Sequence, residues 1–148
     1  MNIRTICTGI LLALSGIVIS GAANAQGQHP YCLQALSKVK AARWLLLQHI
    51  DGKAMTHNEK EALRQINVVI REINEASIDD GKGPNDHPTM PEGRDGNANL
   101  QQCIKFLTKA KNDLLHEDDS QFAGGLRDRS VRNCDEAIKF VEQAMHLN

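Results

Sequence analysis

The stretch that decides the fold is Val131-Arg-Asn-Cys134-Asp-Glu-Ala-Ile138-Lys-Phe-Val141-Glu-Gln-Ala-Met145, in which the numbered apolar residues recur every three or four positions. This spacing places them on one stripe of an α-helix and suits packing against neighbouring helices. Three earlier stretches show similar spacing, and no stretch of useful length alternates apolar and polar residues. The sequence therefore predicts an all-α protein with four helices.

The three earlier helices have recognisable limits. The first extends from about Pro30 to Ile50 and stops at Asp51-Gly52. The second begins at Thr56, whose hydroxyl forms a capping box with Glu59 three residues later. The third extends from about Asn99 to His116.

A segment rich in proline and glycine separates the second helix from the third. Residues 77–97 contain Pro84, Pro88 and Pro91, and these residues break both helices and strands. We expect a linker of about twenty residues, an uncommon length inside one domain.

The sequence also suggests an internal repeat. Shifting the chain by 68 residues places Arg64 on Arg132 and Ile70 on Ile138, with no gap. Any two amphipathic helices can be aligned in this way, but one offset fits both helices and the loop between them. The prediction is a four-helix bundle of two helical hairpins joined by the long linker. The Glu-x-x-His motif of di-iron bundles is absent from the sequence, which excludes that class.

The N-terminal residues indicate export. A short basic start with Arg4, an apolar run from Ile6 to Ile19, and Ala23-Asn24-Ala25 before Gln26 have the pattern of a signal peptide. The apolar run is shorter than the ~20 residues of a membrane-spanning helix. We expect residues 1–25 to be cleaved, residues 26–148 to form one domain, and the product to be periplasmic or secreted from a bacterium without a membrane anchor.

The composition argues against a nucleic-acid partner. The formal net charge is −1 and aromatic residues make up 3% of the chain, so neither a basic stripe nor a stacking platform is expected.

Three cysteines remain after cleavage, namely Cys32, Cys103 and Cys134. None belongs to a C-x-x-C motif, which disfavours haem attachment and thioredoxin-like chemistry. Because Cys32 and Cys103 both lie near helix starts, at levels of the repeat one turn apart, the sequence predicts a disulfide between them. Three unpaired thiols are the alternative.

Histidines and carboxylates are predicted to gather at one end of the bundle. His49, His57, His116 and Asp119 have the ligand types that bind zinc, nickel or copper when they converge. Helix ends also collect polar residues without any ligand, and a histidine near a helix C-terminus suits the dipole. No catalytic residue and no cofactor site are predicted.

The segment around Trp44 and Leu45 is apolar on most of the helix circumference. Because the linker is too polar to cover it, we expect a second subunit or a protein partner to bind there.

Five short motifs carry a resemblance: His29-Pro30-Tyr31, Ala42-Arg43-Trp44-Leu45-Leu46, Asp79-Asp80-Gly81-Lys82, Phe122 to Arg129, and Asp135 to Ile138. The chain resembles small exported bacterial helical-bundle proteins of uncharacterised function, a resemblance that implies an exported helical domain and carries no catalytic residue. The resulting expectation is a non-enzymatic binding or scaffold module in the periplasm. The alternative is a periplasmic metal-binding or metal-handling protein.

Overall fold

The computed structural model describes residues 30–50, 52–75, 87–89, 96–117 and 125–146, so the predicted signal peptide lies outside the described residues. Within these ranges the chain forms four α-helices and no strand: α1 (Pro30–Ile50), α2 (His57–Glu75), α3 (Gly96–His116) and α4 (Leu126–His146). The predicted all-α class with four helices is confirmed.

The connection between α1 and α2 contains the residues that end one helix and begin the next. Gly52 adopts a φ of 72°, a left-handed conformation that glycine tolerates best. The Glu59 backbone amide donates to Thr56 Oγ1 at 3.3 Å, and the Thr56 amide donates to Glu59 Oε2 at 2.7 Å. This reciprocal pair is the predicted capping box, and it satisfies two amide donors at the helix start.

Neighbouring helices are antiparallel. Lys38 in α1 pairs with Asp113 in α3, while His49 at the end of α1 contacts Gly96 at the start of α3. The most extensive interfaces are those of α1 with α3 and of α2 with α4; α3 also packs on α4, and α1 on α2. The closest partners of each helix therefore come from the other half of the sequence.

Small side chains allow α1 and α3 to approach closely. Ala42 and Cys103 are fully buried between them, and the Cys103 thiol donates a hydrogen bond to the Ala42 carbonyl oxygen at 3.3 Å. Such contact between a side chain and the opposite backbone requires a short interaxial distance. Apolar residues of all four helices continue this contact into one core.

The predicted disulfide between Cys32 and Cys103 is wrong. All three described cysteines are free and buried. Because α1 and α3 are antiparallel, Cys103 lies beside Ala42, which is ten residues and about 15 Å along α1 from Cys32. A disulfide requires Cα atoms within about 7 Å.

The bundle has two ends, which we name by one residue each. The His49 end contains His49, the start of α2 and the start of α3, whereas the Glu117 end contains the starts of α1 and α4. Glu72 near the end of α2 contacts Ser130 near the start of α4, so α2 ends at the Glu117 end. On either side of the predicted linker, α2 thus ends at the Glu117 end and α3 begins at the His49 end. Residues 87–89 and 96–97 are the described part of that linker.

No described helix combines the length and the apolar character needed to cross a bilayer.

Candidate functional site

A pocket of about 350 Å³ opens at the His49 end. It lies where the end of α1, the connection to α2, and the starts of α2 and α3 meet. Its lining residues are His49, Ile50, Lys53, Ala54, Thr56, Glu59, Gly96 and Asn97. The volume falls at the lower end of the range for small-molecule sites.

His49 forms a buried wall of this pocket and joins three helices. Its side chain is 8% exposed, and its Nε2 lies 3.0 Å from Glu59 Oε1 in α2. Its Nδ1 lies 2.9 Å from the carbonyl oxygen of Gly96 in α3. Both nitrogens of the imidazole are therefore engaged by groups of the protein.

Both partners of His49 are hydrogen-bond acceptors. A carbonyl oxygen only accepts, so the contact with Gly96 is a hydrogen bond in the tautomer whose Nδ1 carries the hydrogen. The Glu59 carboxylate is likewise an acceptor facing Nε2.

Glu59 serves two structural purposes at once. Its Oε1 faces His49, while its Oε2 accepts from the Thr56 amide at 2.7 Å and from the Thr56 hydroxyl at 2.9 Å. Glu59 is 4% exposed, so all of these bonds form away from bulk water. The capping box of α2 and the imidazole contact therefore share one buried carboxylate.

Gly96 is required by the close approach of the imidazole. A Cβ atom at position 96 would lie 2.8 Å from His49 Nδ1 and 3.1 Å from His49 Cε1. Any other residue would force the ring or the start of α3 to move. The sequence predicts only that this glycine breaks helices within the linker, and its contact with His49 has no local signal.

The Glu117 end has a different set of contacts. Glu117 is 5% exposed, and its Oε2 accepts from the Cys32 amide in the first turn of α1 at 3.0 Å. Arg127 Nη1 donates to the Glu117 carbonyl oxygen at 3.4 Å. Residues 117 and 127 are each 68 positions beyond His49 and Glu59.

A second pair of contacts follows the same offset. Arg43 Nε donates to Asn67 Oδ1 at 2.9 Å, and Lys111 Nζ donates to Asp135 Oδ1 at 2.7 Å. Both contacts join residues 24 positions apart, and each residue of the second pair is 68 positions beyond its counterpart.

The predicted grouping of His49, His57, His116 and Asp119 at one end is wrong for His116. The His116 ring lies 5.8 Å from the ring of Tyr31, at the start of α1, which is about 27 Å along that helix from His49. The antiparallel course of α1 and α3 causes this separation. His57 is exposed at the first residue of α2, and Asp119 lies outside the described residues. In the part of the chain that the structure describes, no three histidine, cysteine or acidic side chains could hold a metal ion.

Trp44 and Leu45 occupy different environments. Leu45 is 2% exposed and belongs to the core, so the prediction that it contributes to an open docking surface is wrong for the isolated chain. Trp44 is half-buried, and its ring lies 4.5 Å from the ring of His87. A residue of the predicted linker thus covers part of the indole, contrary to the expectation that the linker is too polar to do so.

The cysteines are unsuited to nucleophilic chemistry. Burial raises the pKa of Cys103 and of Cys134 to about 12. Burial, and then the nearby Glu117 carboxylate, raise the pKa of Cys32 above its ordinary value. The thiolate is the reactive form, so all three thiols are inert at neutral pH in the folded protein.

No family model, curated protein or solved structure matches this chain. The resemblance to small exported bacterial helical-bundle proteins stays a prediction.

Proposed function

We propose that the protein is a non-enzymatic binding module of the bacterial periplasm, and that its ligand site is the pocket at the His49 end. The observation that carries this proposal is the pocket itself, with a volume of about 350 Å³ at the junction of three helices. Small-molecule sites in helical bundles lie between helices and combine apolar walls with a few fixed polar groups. Ile50 and Ala54 supply the apolar part, while His49 and Glu59 are fixed polar groups.

The bonding of the polar residues favours binding over catalysis. A general base needs a free nitrogen within reach of the substrate, but His49 uses both ring nitrogens within the protein. The described thiols are buried and protonated at neutral pH. These residues provide structure around a pocket and do not form a nucleophile with its base.

The bundle in this proposal arose by duplication of a helical hairpin, with the two copies offset by 68 residues and joined by the linker at 77–97. The matched contacts of Arg43 with Asn67 and of Lys111 with Asp135 support this origin. The matched positions 49 and 117, with their partners 59 and 127, support it independently. After duplication the two ends acquired different side chains, and the described pocket lies at the end with the imidazole.

Metal handling and partner binding have less support. The metal-handling alternative relied on His116 together with His49, and these residues lie at opposite ends. Partner binding or self-association relied on Trp44 and Leu45, of which the half-buried Trp44 ring retains an exposed part.

Native mass spectrometry of the protein recovered from its own compartment tests the proposal. We expect the measured mass to equal that of a chain beginning at Gln26 plus that of a bound small molecule. The Ala54→Trp variant places a large side chain at the pocket lining and should lose that added mass. Leu115→Trp is the matched control, because Leu115 is 52% exposed and lies next to His116 at the opposite end.

The outcomes separate the alternatives. A bare chain from the wild type, or an added mass that persists in Ala54→Trp, would contradict the pocket as the ligand site. An added mass equal to a metal ion would favour metal handling, and a dimer mass would favour self-association. A chain that begins at Met1 would contradict export.

A further inference from the structure

We propose that the bundle is a redox-sensitive fold: it forms only while its buried thiols are reduced, and a disulfide at Cys103 or Cys134 prevents the helices from packing. The partner in that disulfide can be another cysteine of the chain or a small thiol. This inference is independent of the proposed ligand pocket, because it depends only on how the core is packed.

The three described cysteines lie on three different helices, and none of them reaches the surface. Cys32 belongs to α1, Cys103 to α3 and Cys134 to α4, and all three are free thiols with 0% exposure. Each packs within the single apolar core. A disulfide oxidant in solution therefore has no access to these sulfur atoms while the bundle is closed.

The packing also keeps Cys103 and Cys134 apart from each other. Lys111 Nζ lies 2.7 Å from Asp135 Oδ1, so Cys134 lies near the level of Lys111. Cys103 precedes Lys111 by eight residues, which is about 12 Å along α3. Because a disulfide requires Cα atoms within about 7 Å, these two cysteines cannot be joined in the bundle.

Cys32 is distant from both of the other cysteines. It lies about 15 Å along α1 from Ala42, the residue that Cys103 contacts. Because α1 and α4 each pack on α2 and on α3, they lie diagonally across the bundle from each other. Neighbouring helix axes are about 8–10 Å apart, so diagonal axes are farther apart still. Every disulfide between two of the described cysteines is therefore incompatible with this packing.

A disulfide to a small thiol is excluded by the packing around Cys103. Its sulfur lies 3.3 Å from the Ala42 carbonyl oxygen, in direct contact with the backbone of the opposite helix. A glutathione group is far larger than the hydrogen it would replace, and the rearrangement of one side chain could not make room for it. The extensive interface between α1 and α3 would have to separate.

The reaction needs an opened chain and a disulfide oxidant such as glutathione disulfide. A protein thiolate attacks one sulfur of the oxidant, which forms a mixed disulfide and releases one glutathione thiolate. A second protein thiolate then attacks the mixed disulfide, which forms the protein disulfide and releases the second glutathione. The protein loses two protons and two electrons, and the oxidant is reduced to two thiols.

Opening and oxidation therefore favour each other. Burial raises the pKa of Cys103 and of Cys134 to about 12, so the closed bundle offers almost no thiolate. In an opened chain the thiols regain an ordinary pKa of about 8.5. Once oxidised, the chain cannot close until a reductant removes the disulfide. The predicted export places the protein in an oxidising compartment, where folding must precede oxidation.

Refolding in the presence of glutathione disulfide tests the proposal on protein recovered from its own compartment. The protein is unfolded in urea at pH 8 with glutathione disulfide and then diluted into buffer, and circular dichroism measures the helical signal. We expect most of the helical signal to be lost and to return after dithiothreitol is added. The matched control contains reduced glutathione instead and should regain the full signal.

The folded protein provides a second measurement. Incubated with glutathione disulfide without urea, it should keep Cys103 and Cys134 unmodified, with oxidation at least about a thousandfold slower than in urea, since only the small unfolded fraction reacts. Peptide mass mapping assigns each modification to its cysteine and separates the described cysteines from Cys7.

The matched variant replaces all three described cysteines with alanine. It removes the thiols without adding a polar group to the core, so its helical signal should be the same after refolding with either form of glutathione. If this variant does not fold with reduced glutathione, the recovery of the wild type with dithiothreitol decides the question.

Three results would overturn the proposal. The first is a wild-type chain that carries a disulfide at Cys103 or Cys134 and still regains its full helical signal. The second is an equal loss of signal in the alanine variant, and the third is equally fast oxidation of the folded and the unfolded protein. None of these results involves a ligand, so failure of this proposal is distinguishable from an empty pocket in the mass spectrometry.

Discussion

At the His49 end a buried imidazole joins three helices, whereas at the Glu117 end a buried carboxylate accepts a backbone amide from the first turn of one helix. The two residues are 68 positions apart, the offset of the proposed repeat, and each reaches the start of the antiparallel neighbouring helix. A carboxylate offers acceptors only, whereas an imidazole offers two ring nitrogens that can each take part in a hydrogen bond. The same architecture thus uses an imidazole to join helices at one end and a carboxylate to do so at the other.

The charges of the contacting residues are also reversed between the ends. His49 faces the acidic Glu59, whereas Glu117 lies beside the basic Arg127. In both cases the residue at the end of one helix meets a residue in the first turn of the next. Arg127 contacts the backbone carbonyl of Glu117, so an exchange of side chains between the ends tests whether the two side chains of each pair also interact.

The largest loss of stability is expected for the single variant His49→Glu, which makes half of that exchange. His49→Glu places a second carboxylate beside Glu59 in a buried position and removes the hydrogen bond to Gly96. Two buried carboxylates side by side, without the imidazole between them, should destabilise the fold by about 3–5 kcal/mol. Adding Glu59→Arg reproduces the acid and base order of the Glu117 end and should recover part of this loss. Urea denaturation of the wild type, both single variants and the double variant measures the coupling.

The control exchange at the other end replaces Glu117 with histidine and Arg127 with glutamate. If the ends are equivalent, the coupling free energy between positions 117 and 127 should have the same sign as that between positions 49 and 59. Additive effects in both cycles would contradict the view that each pair acts as a unit.

The helices and the capping box could be predicted because they depend on local sequence. The apolar spacing of α4 and the Thr56-x-x-Glu59 pattern act over a few residues, and the structure contains both features. α1 likewise has the predicted limits of Pro30 and Ile50. Local hydrogen bonding and one-sided burial decide these features, and both can be read from spacing alone.

The relative direction of α1 and α3 could not be predicted, and the wrong assignments follow from it. Aligning the repeat places the ends of the two helices together, which brings His116 to His49 and Cys32 to Cys103. In the bundle α1 and α3 are antiparallel, so residues of α1 and α3 that are 68 positions apart near the helix ends lie at opposite ends. The side chains that set this packing lie far apart in the sequence, and their contacts have no local pattern.

The candidate site was only partly predictable. His49 was a predicted polar residue of the correct end, but its contacts with Glu59 and Gly96 depend on tertiary packing. One signal was present in the sequence. Positions 49 and 59 hold His and Glu, and the positions 68 residues later, 117 and 127, hold Glu and Arg. Each pair therefore combines an acidic residue with a basic one.

A smaller effect is expected from Gly96→Ala, which tests how closely the His49 end is packed. The added methyl group would lie 2.8 Å from His49 Nδ1, so the start of α3 or the ring must move. We expect a loss of about 1–3 kcal/mol in unfolding free energy, as for other overpacked sites. The better helix propensity of alanine, under about 1 kcal/mol, does not offset it. Urea denaturation measures the change.

The matched comparison for this variant uses His49→Ala and Gly52→Ala. Removing the imidazole should abolish most of the added cost of Gly96→Ala, because the clashing atoms are gone. Gly52 has a φ of 72°, and a Cβ added there would meet no described atom within 4 Å, so the cost of Gly52→Ala comes from the backbone alone. That cost should be the same with or without His49. A Gly96→Ala cost that is unaffected by His49→Ala would contradict the close contact.

The smallest effect concerns the thiol at the Glu117 end. Burial, and secondarily the Glu117 carboxylate, raise the pKa of Cys32, whereas burial alone raises the pKa of Cys103 to about 12. A raised thiol pKa stabilises the folded state fully below the unfolded value of about 8.5, and this stabilisation is lost as the pH rises above it. Glu117→Gln removes the charge and should lower the pKa of Cys32 alone.

Alkylation by iodoacetamide at pH 9, followed by peptide mass mapping, measures that difference. Glu117→Gln should accelerate modification of Cys32 by at most about tenfold, the change in thiolate fraction for one pKa unit. The rate at Cys103 serves as the control and should not change, because that thiol contacts the Ala42 carbonyl and not Glu117. Equal acceleration at both cysteines would mean that the variant opens the whole bundle, and the carboxylate would then have no specific influence on the thiol beside it.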